Sequence, residues 1–376
     1  MLTAVGASTE RDAVLAELAG GAHDPRQRGF TFQQAELSFA GELTPWLAAK
    51  AFLVAAIEPA SGETIVELEE AFLSTPDVRS GLQVRAGTFL TEFGLINPAH
   101  PHAWQWLNQP VMHTRVFGGD GMRGPGLRVA ASGRLGQLLF AAQNASGETM
   151  PSFLANAEVY DERAIGGRAF VARDVRSLGD VVYTLRAACT LAADHEPTLV
   201  LGASTSLGPN ATGEHAHTWL YGVDLRWLVP RPGHEDGFEV PAWLLQAEGI
   251  GRAFAASGQV DGADPLAPVV VPRSTLRDHG GYVQALAGCS ATIAVGLRVE
   301  FAGGSGGSYR GNGQFARSQD AFRADRLRVS PLCSWQPSHA TSVRLQYDFD
   351  DSDHLASSAH SLWLGFEVLL GAHAAH

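Results

Sequence analysis

The chain has 376 residues, 45% hydrophobic and only 18% charged, with 27 Lys plus Arg against 39 Asp plus Glu and a formal charge of −12. That balance excludes a nucleic-acid binder, because no basic patch stands out to meet phosphate. No apolar run reaches the roughly 18 residues of a helical membrane span, and neither a composition break nor a Pro/Ser-rich linker divides the chain, so 1–376 reads as one body.

In chain order, period-two alternation marks strands at 2–7, 30–41, 46–57, 65–74, 82–89, 126–132, 135–144, 180–193 and 198–207. The pattern sharpens in "HTWLYGVDLRWLV", where Trp219, Tyr221, Val223, Leu225, Trp227 and Val229 oppose Asp224 and Arg226. Weaker copies follow at 240–254 and 281–290. In "ATIAVGLRVEFAG" the residues Ile293, Val295, Leu297, Val299 and Phe301 oppose Arg298 and Glu300. After a copy at 322–335, "TSVRLQYDFD" sets Val343, Leu345, Tyr347 and Phe349 against Arg344, Asp348 and Asp350, and "HSLWLGFEVLL" closes the series with an apolar row at its even positions.

These segments number about sixteen. Short turns such as "GELTP" and "QPSHA" alternate with longer loops at 90–125, 145–178, 257–280 and "GGSGGSYRGNGQ". The pattern predicts an all-β fold, an antiparallel transmembrane β-barrel with short periplasmic turns and longer external loops, in which every backbone group pairs between strands and no edge meets lipid. A soluble β-sandwich also alternates. The aromatics favour the barrel: Trp46, Trp219, Tyr221, Trp227, Trp243, Trp335, Tyr347, Trp363 and Phe366 fall mostly at strand ends on the oily side, where interfacial girdles lie. Cys189, Cys289 and Cys333 lack metal or redox spacing and read as buried or lipid-facing thiols.

The stretches "FTFQQAELSFAGELTPWLAAKAFL", "LTEFGLINPAHPHAWQWLNQPVMHTRVFGG" and the C-terminal fifty residues from "LRVSPLCSWQPSHA" onward resemble a family of Gram-negative outer-membrane proteins. Its members are porin-like barrels often labelled zinc-regulated, TonB-dependent outer-membrane receptors. The resemblance implies an outer-membrane location, with a signal peptide removed ahead of this numbering. The chain departs from the label, since 376 residues cannot hold both a plug domain and the 22 strands of a TonB-dependent transporter.

Alternation assigns Glu36, Glu67, Glu69, Arg85, Arg128, Arg186, Asp224, Arg226, Glu248, Arg298, Glu300, Arg326, Arg328, Arg344, Asp348 and Glu367 to the barrel interior. A wall so charged predicts a water-filled pore, with carboxylates near 36–70 facing arginines near 298–344 across a transverse field. Segment 90–125 carries Phe93, Trp104, Trp106 and Phe117 among Pro98, Pro101 and Pro110, a load that predicts a loop folded into the pore and narrowing it. His100 with His102, His215 with His217, and His373 with His376 are close enough in sequence to share a zinc ion, and His100 and His102 are the candidate metal ligands.

The functional expectation is a passive channel for small hydrophilic solutes or ions, in contact with outer-membrane lipid and open to homo-oligomerisation. A metal- or chelate-selective uptake barrel and a barrel sheathing a protein partner are the alternatives. No Ser/His or Asp/His spacing nominates an enzyme, and no cofactor beyond zinc is expected.

Overall fold

The computed structural model describes all residues except 19, 59–60, 77–80, 135, 192–197, 232–239, 262–265, 267, 311–312 and 372–376. Among the described residues sixteen strands close one antiparallel barrel. They are β1 (Leu2–Ser8), β2 (Gly29–Thr44), β3 (Leu47–Ile57), β4 (Thr64–Ser74), β5 (Leu82–Leu90), β6 (Arg123–Gly133), β7 (Gly136–Asn144), β8 (Val181–Leu191), β9 (Thr198–Pro209), β10 (His217–Val229), β11 (Trp243–Ala256), β14 (Ser274–Gly288), β15 (Ile293–Ser305), β18 (Arg326–Ser338), β19 (Thr341–Ser352) and β20 (Ala359–Val368). Two hairpins stand outside the barrel sheet, β12 (Gln259–Asp261) with β13 (Val269–Val271) and β16 (Ser308–Arg310) with β17 (Gly313–Phe315).

Each barrel strand pairs with its neighbours, and β1 seals against β20 from Leu2 opposite Glu367 to Ser8 opposite Ser361. The end carrying both strand termini holds tight turns such as 45–46 and 339–340. The opposite end holds the long connections 9–28, 91–122, 145–180, 257–273 and 306–325. The alternating residues fold this way because a closed ladder is how strands cross lipid without orphaned N–H and C=O groups.

The outer surface carries the apolar row of every strand. Leu37, Phe39, Leu138, Phe140, Val283, Leu297, Val299, Leu345 and Leu362 are all exposed on the isolated barrel. Trp46, Trp227, Trp243, Trp335 and Phe366 ring the end with the short turns on this same outer side, while Trp219 and Tyr221 stand near the other end. Trp363 does not join them. Its odd position in β20 turns it inward, where Nε1 donates to Asp348 at 3.1 Å. The three cysteines are free and exposed.

Val299 faces outward at the middle of β15, between Val283 and Val329. Val299→Arg should cost the folded barrel about 2–4 kcal/mol in bilayers, and Val295→Arg, beside the tryptophan belt, should cost less. Urea titration of vesicle-inserted protein measures both. Equal costs would place that face away from lipid.

Several elements differ from the sequence reading. β14 starts at Ser274, so the last seven residues of the expected loop 257–280 are strand; its polar residues looked loop-like because Asp278 turns inward against arginines. Helix α1 (Asp12–Leu18) and helix α3 (Ala157–Glu162) were not anticipated, being too short to show a helical period. The 145–180 connection, expected to lie outside, buries Met150, Phe153, Leu154 and Tyr160 against the barrel mouth.

Candidate functional site

Segment 91–122 leaves β5 and crosses the interior. Leu90 N donates to Glu70 at 2.7 Å, and Glu92 then takes Arg128 at 2.9 Å and Arg85 at 3.5 Å. The amides of Leu95 and Ile96 donate to Glu248 at 2.8 and 3.2 Å. Gly94 makes this approach possible: its φ is +67°, and a Cβ there would lie 1.8 Å from the Glu248 carboxylate. Farther on, Trp106 Nε1 donates to Ser330 O at 2.9 Å, Leu107 N to Gln346 at 2.8 Å and Asn108 to Asp348 at 3.0 Å. Gly365 leaves room on β20 for the Leu107 side chain.

Helix α2 (Val111–Phe117) follows, its first amide donating to Glu300 at 2.5 Å, where a carboxylate suits a helix start. Phe93, Trp106 and Phe117 are about 1% exposed. Burying a ring such as Phe93 stabilises the segment by roughly 1.5–3 kcal/mol relative to exposure, and its backbone donors meet wall carboxylates rather than bulk water.

Segment 9–28 also turns in. Leu15 packs with Leu107 and Trp363, and Leu18 O accepts from Arg328 at 2.9 Å. Asp24 joins the two segments, accepting from Gln109 N at 2.8 Å and Gly21 N at 3.0 Å; burial pushes its carboxyl above the usual range against those bonds.

At the centre, His100 is pinned on both ring nitrogens. Nδ1 lies 2.9 Å from Glu69 and 3.5 Å from Glu36, and Nε2 lies 3.0 Å from Glu70. His102 Nδ1 reaches the same Glu36 oxygen at 3.3 Å, and Phe52 stacks on the His100 ring at 4.4 Å. Burial pushes the His100 imidazole down, but the close carboxylates outweigh it and hold it up to about 12. Its folded-state value thus exceeds the ordinary 6.5, so its contribution to stability is complete below about pH 6.5 and is lost progressively as pH rises toward 12. The stability gap between the parent and His100→Gln should therefore narrow from about pH 6 to about pH 10 in urea titrations. A constant gap would show that the imidazolium is not the latch.

Glu70 was missed in the sequence because a β-bulge breaks the alternation there. Phe52 pairs with Glu70 and Leu53 with Leu68, leaving Glu69 as the extra residue, so both glutamates are buried in the interior.

The sequence-predicted wall residues lie on inward positions, yet most meet protein rather than water. Arg298 pairs with Glu300 at 3.1 Å, Arg326 and Arg328 share Asp350 at 2.6 and 2.9 Å, and Arg344 pairs with Glu367. Arg186 pairs with Asp224 at 2.6 Å, Glu248 holds His113 at 3.2 Å, and Asp348 accepts from Ser330, Gln346 and Asn108. These residues are all buried. The expected bare arginine ladder and its transverse field are corrected accordingly, since each arginine has an acid beside it and the inward segments lie over it. Glu36, Glu67 and Arg85 are half-buried, with Glu67 paired to Arg123, and Arg226 is exposed near the short-turn end.

Open space remains on either side of segment 91–122. An outer cavity of about 440 Å³ is lined by His23, Glu58, Glu67, Asp120, Arg163 and Arg323 among others. An inner one of about 500 Å³ is lined by Lys50, Glu70, Arg85, Glu92, His100 and Arg186 among others. A further pocket of about 10 Å³ is bordered by His23, Glu69, Asn97, His113 and Asp120. His215 and His217 are exposed and join no such cluster, and His373 and His376 lie outside the described residues.

No family model matches the chain. A stretch of 105 residues is 35% identical to an uncharacterized protein of Aquifex aeolicus, over 27% of this chain and 20% of that protein, so the match spans about a fifth of the relative's length. The zinc-regulated, TonB-dependent label therefore finds no support. Among solved structures the chain is similar to the outer-membrane channel DcaP of Acinetobacter baumannii, at 11% identity, 97% and 94% coverage and a TM-score of 0.55. It is also similar to an anion-selective porin from Comamonas acidovorans, at 12% identity, 98% coverage of both chains and a TM-score of 0.54. The Vibrio cholerae outer-membrane protein OmpT, lacking its loop L8, aligns at 8% identity, 98% and 96% coverage and a TM-score of 0.53. The chain has the fold of the porin-like outer-membrane barrels, a closed antiparallel barrel of sixteen strands.

Proposed function

We propose that the protein is a channel in the outer membrane of a Gram-negative bacterium, passing small hydrophilic solutes or ions. The observation that supports this reading is the pair of charged cavities, about 440 and 500 Å³, on the two sides of segment 91–122. A polar interior inside a lipid-facing barrel gives such solutes the one low-cost route across the bilayer. Segment 91–122 is the constriction, because it bonds across the interior to wall residues of β11, β15, β18 and β19. DcaP is described as a channel and the Comamonas protein as a porin, which agrees with this reading.

The test is single-channel recording after insertion into planar bilayers. Discrete, small conductance steps are the expected result, from protein shown to be folded by its different gel migration before and after boiling in detergent. Folded barrels that insert and pass no current would overturn the reading.

A further inference from the structure

We propose that Glu36, Glu69 and His100 form a binding site for a divalent first-row transition-metal ion such as zinc, fastening segment 91–122 to strands β2 and β4. The inference rests on the inward course of that segment and not on ion conduction. Among the described residues, these three form the His/Cys/Asp/Glu group whose donor atoms lie within 4.8 Å of one another. Nδ1 of His100 stands 2.9 Å from Glu69 Oε2 and 3.5 Å from Glu36 Oε2. In a tetrahedral site with bonds of about 2.0–2.1 Å, neighbouring donors stand about 3.3 Å apart, so a small adjustment seats an ion among them.

The hydrogen-bond geometry points the same way. Glu69 Oε2 belongs to a side chain 4% exposed and accepts no in-line hydrogen bond, although Nδ1 is within 2.9 Å. Two buried metal-donor atoms this close, with the oxygen off the N–H axis, leave room for an ion to take the place of the Nδ1 proton between them. On the far side of the ring, Glu70 takes Nε2 at 3.0 Å. That contact keeps a proton on Nε2, so that Nδ1 is the nitrogen that gives up its proton to an incoming ion and binds it between Glu36 and Glu69, the usual support for a metal-bound imidazole.

Charge and donor type select the ion. Three carboxylates face one imidazole, with Arg123 no nearer to Glu69 than 4.0 Å and on its other oxygen. A dication that displaces the Nδ1 proton to solvent is stabilised by the same carboxylates. The nitrogen donor favours zinc, cobalt, nickel or copper over magnesium and calcium, and the crowded site lacks the 6–8 oxygens calcium takes. His102, 3.3 Å from the shared Glu36 oxygen, is one side-chain rotation from supplying a fourth donor. Glu36 and His102 are partly exposed, and His100 borders the inner cavity, which provides entry.

The full chain, folded in detergent micelles and freed of metal with chelator, is titrated with cobalt(II). The expected result is the visible absorption of a four- or five-coordinate nitrogen- and oxygen-bound cobalt ion, removed by equimolar zinc, with proton release on binding measured by calorimetry in two buffers. His100→Gln and Glu69→Gln should each weaken binding at least tenfold, while His215→Gln with His217→Gln leaves it unchanged. If His100→Gln loses its heat-dependent gel migration and so fails to fold, Glu69→Gln, which keeps the side-chain shape, decides. No cobalt spectrum from the folded parent, or folded Glu69→Gln binding cobalt as tightly as the parent, would overturn the proposal.

Discussion

Asp350→Ala should destabilise the barrel by about 3–5 kcal/mol, because it strands two buried guanidinium groups at once. Asp350 Oδ1 accepts from Arg326 Nε at 2.8 Å and from Arg328 Nε at 2.9 Å, and both arginines are almost fully covered. Among the described residues Arg328 retains Glu300 only at 4.0 Å and the carbonyl of Leu18, whereas Arg326 keeps no other acid within ion-pair distance. Removing the acid together with both cations, as Asp350→Leu with Arg326→Met and Arg328→Met, should cost much less, since a buried ion cluster is often replaceable by apolar side chains of similar volume. Urea unfolding of vesicle-inserted protein compares the two. If the triple change is as harmful as the single one, the cost lies in packing and not in orphaned charge.

The largest functional effect is expected from shortening segment 91–122, the proposed constriction. Replacing residues 98–106 with a brief Gly-Ser linker should raise single-channel conductance several-fold while the barrel still folds. The flanks remain held, by Glu248 at Leu95 and Ile96 and by Asp348 and Glu300 at Asn108 and Val111. The excised part contributes Trp104, Trp106 and the His100 contacts to three wall carboxylates, so its removal opens the space beside the small central pocket. Unchanged conductance in folded, inserted protein would remove segment 91–122 from the conducting route.

The barrel was legible in the sequence because lipid and interior impose opposite demands on successive residues, and a period of two survives even in strands as weak as 46–57. The inward segment was legible from its rings: Phe93, Trp104, Trp106 and Phe117 were too apolar for a loop in water. What local pattern does not encode is partnership. Nothing near Arg298 in sequence shows that Asn108 will lie over it, and the pairing of Asp278 with Arg252 and Arg323 joins three separate connections or strands. Wall charges therefore looked like a pore lining when most are internal ties. Glu70 was hidden by a bulge, which shifts the alternation within a single strand.

The seal between β1 and β20 dictates an order of assembly. β1 finds one of its two neighbours only in β20, and segment 91–122 must reach Gln346 and Asp348, some 240 positions later in the chain. Neither the wall nor its filling is complete until β20 is at hand. Such distant pairings close slowly, because the entropy of long loops is lost before the contacts form. A chain truncated ahead of β20 should thus lack both the closed rim and the seat that Trp363 and Gly365 give Leu107.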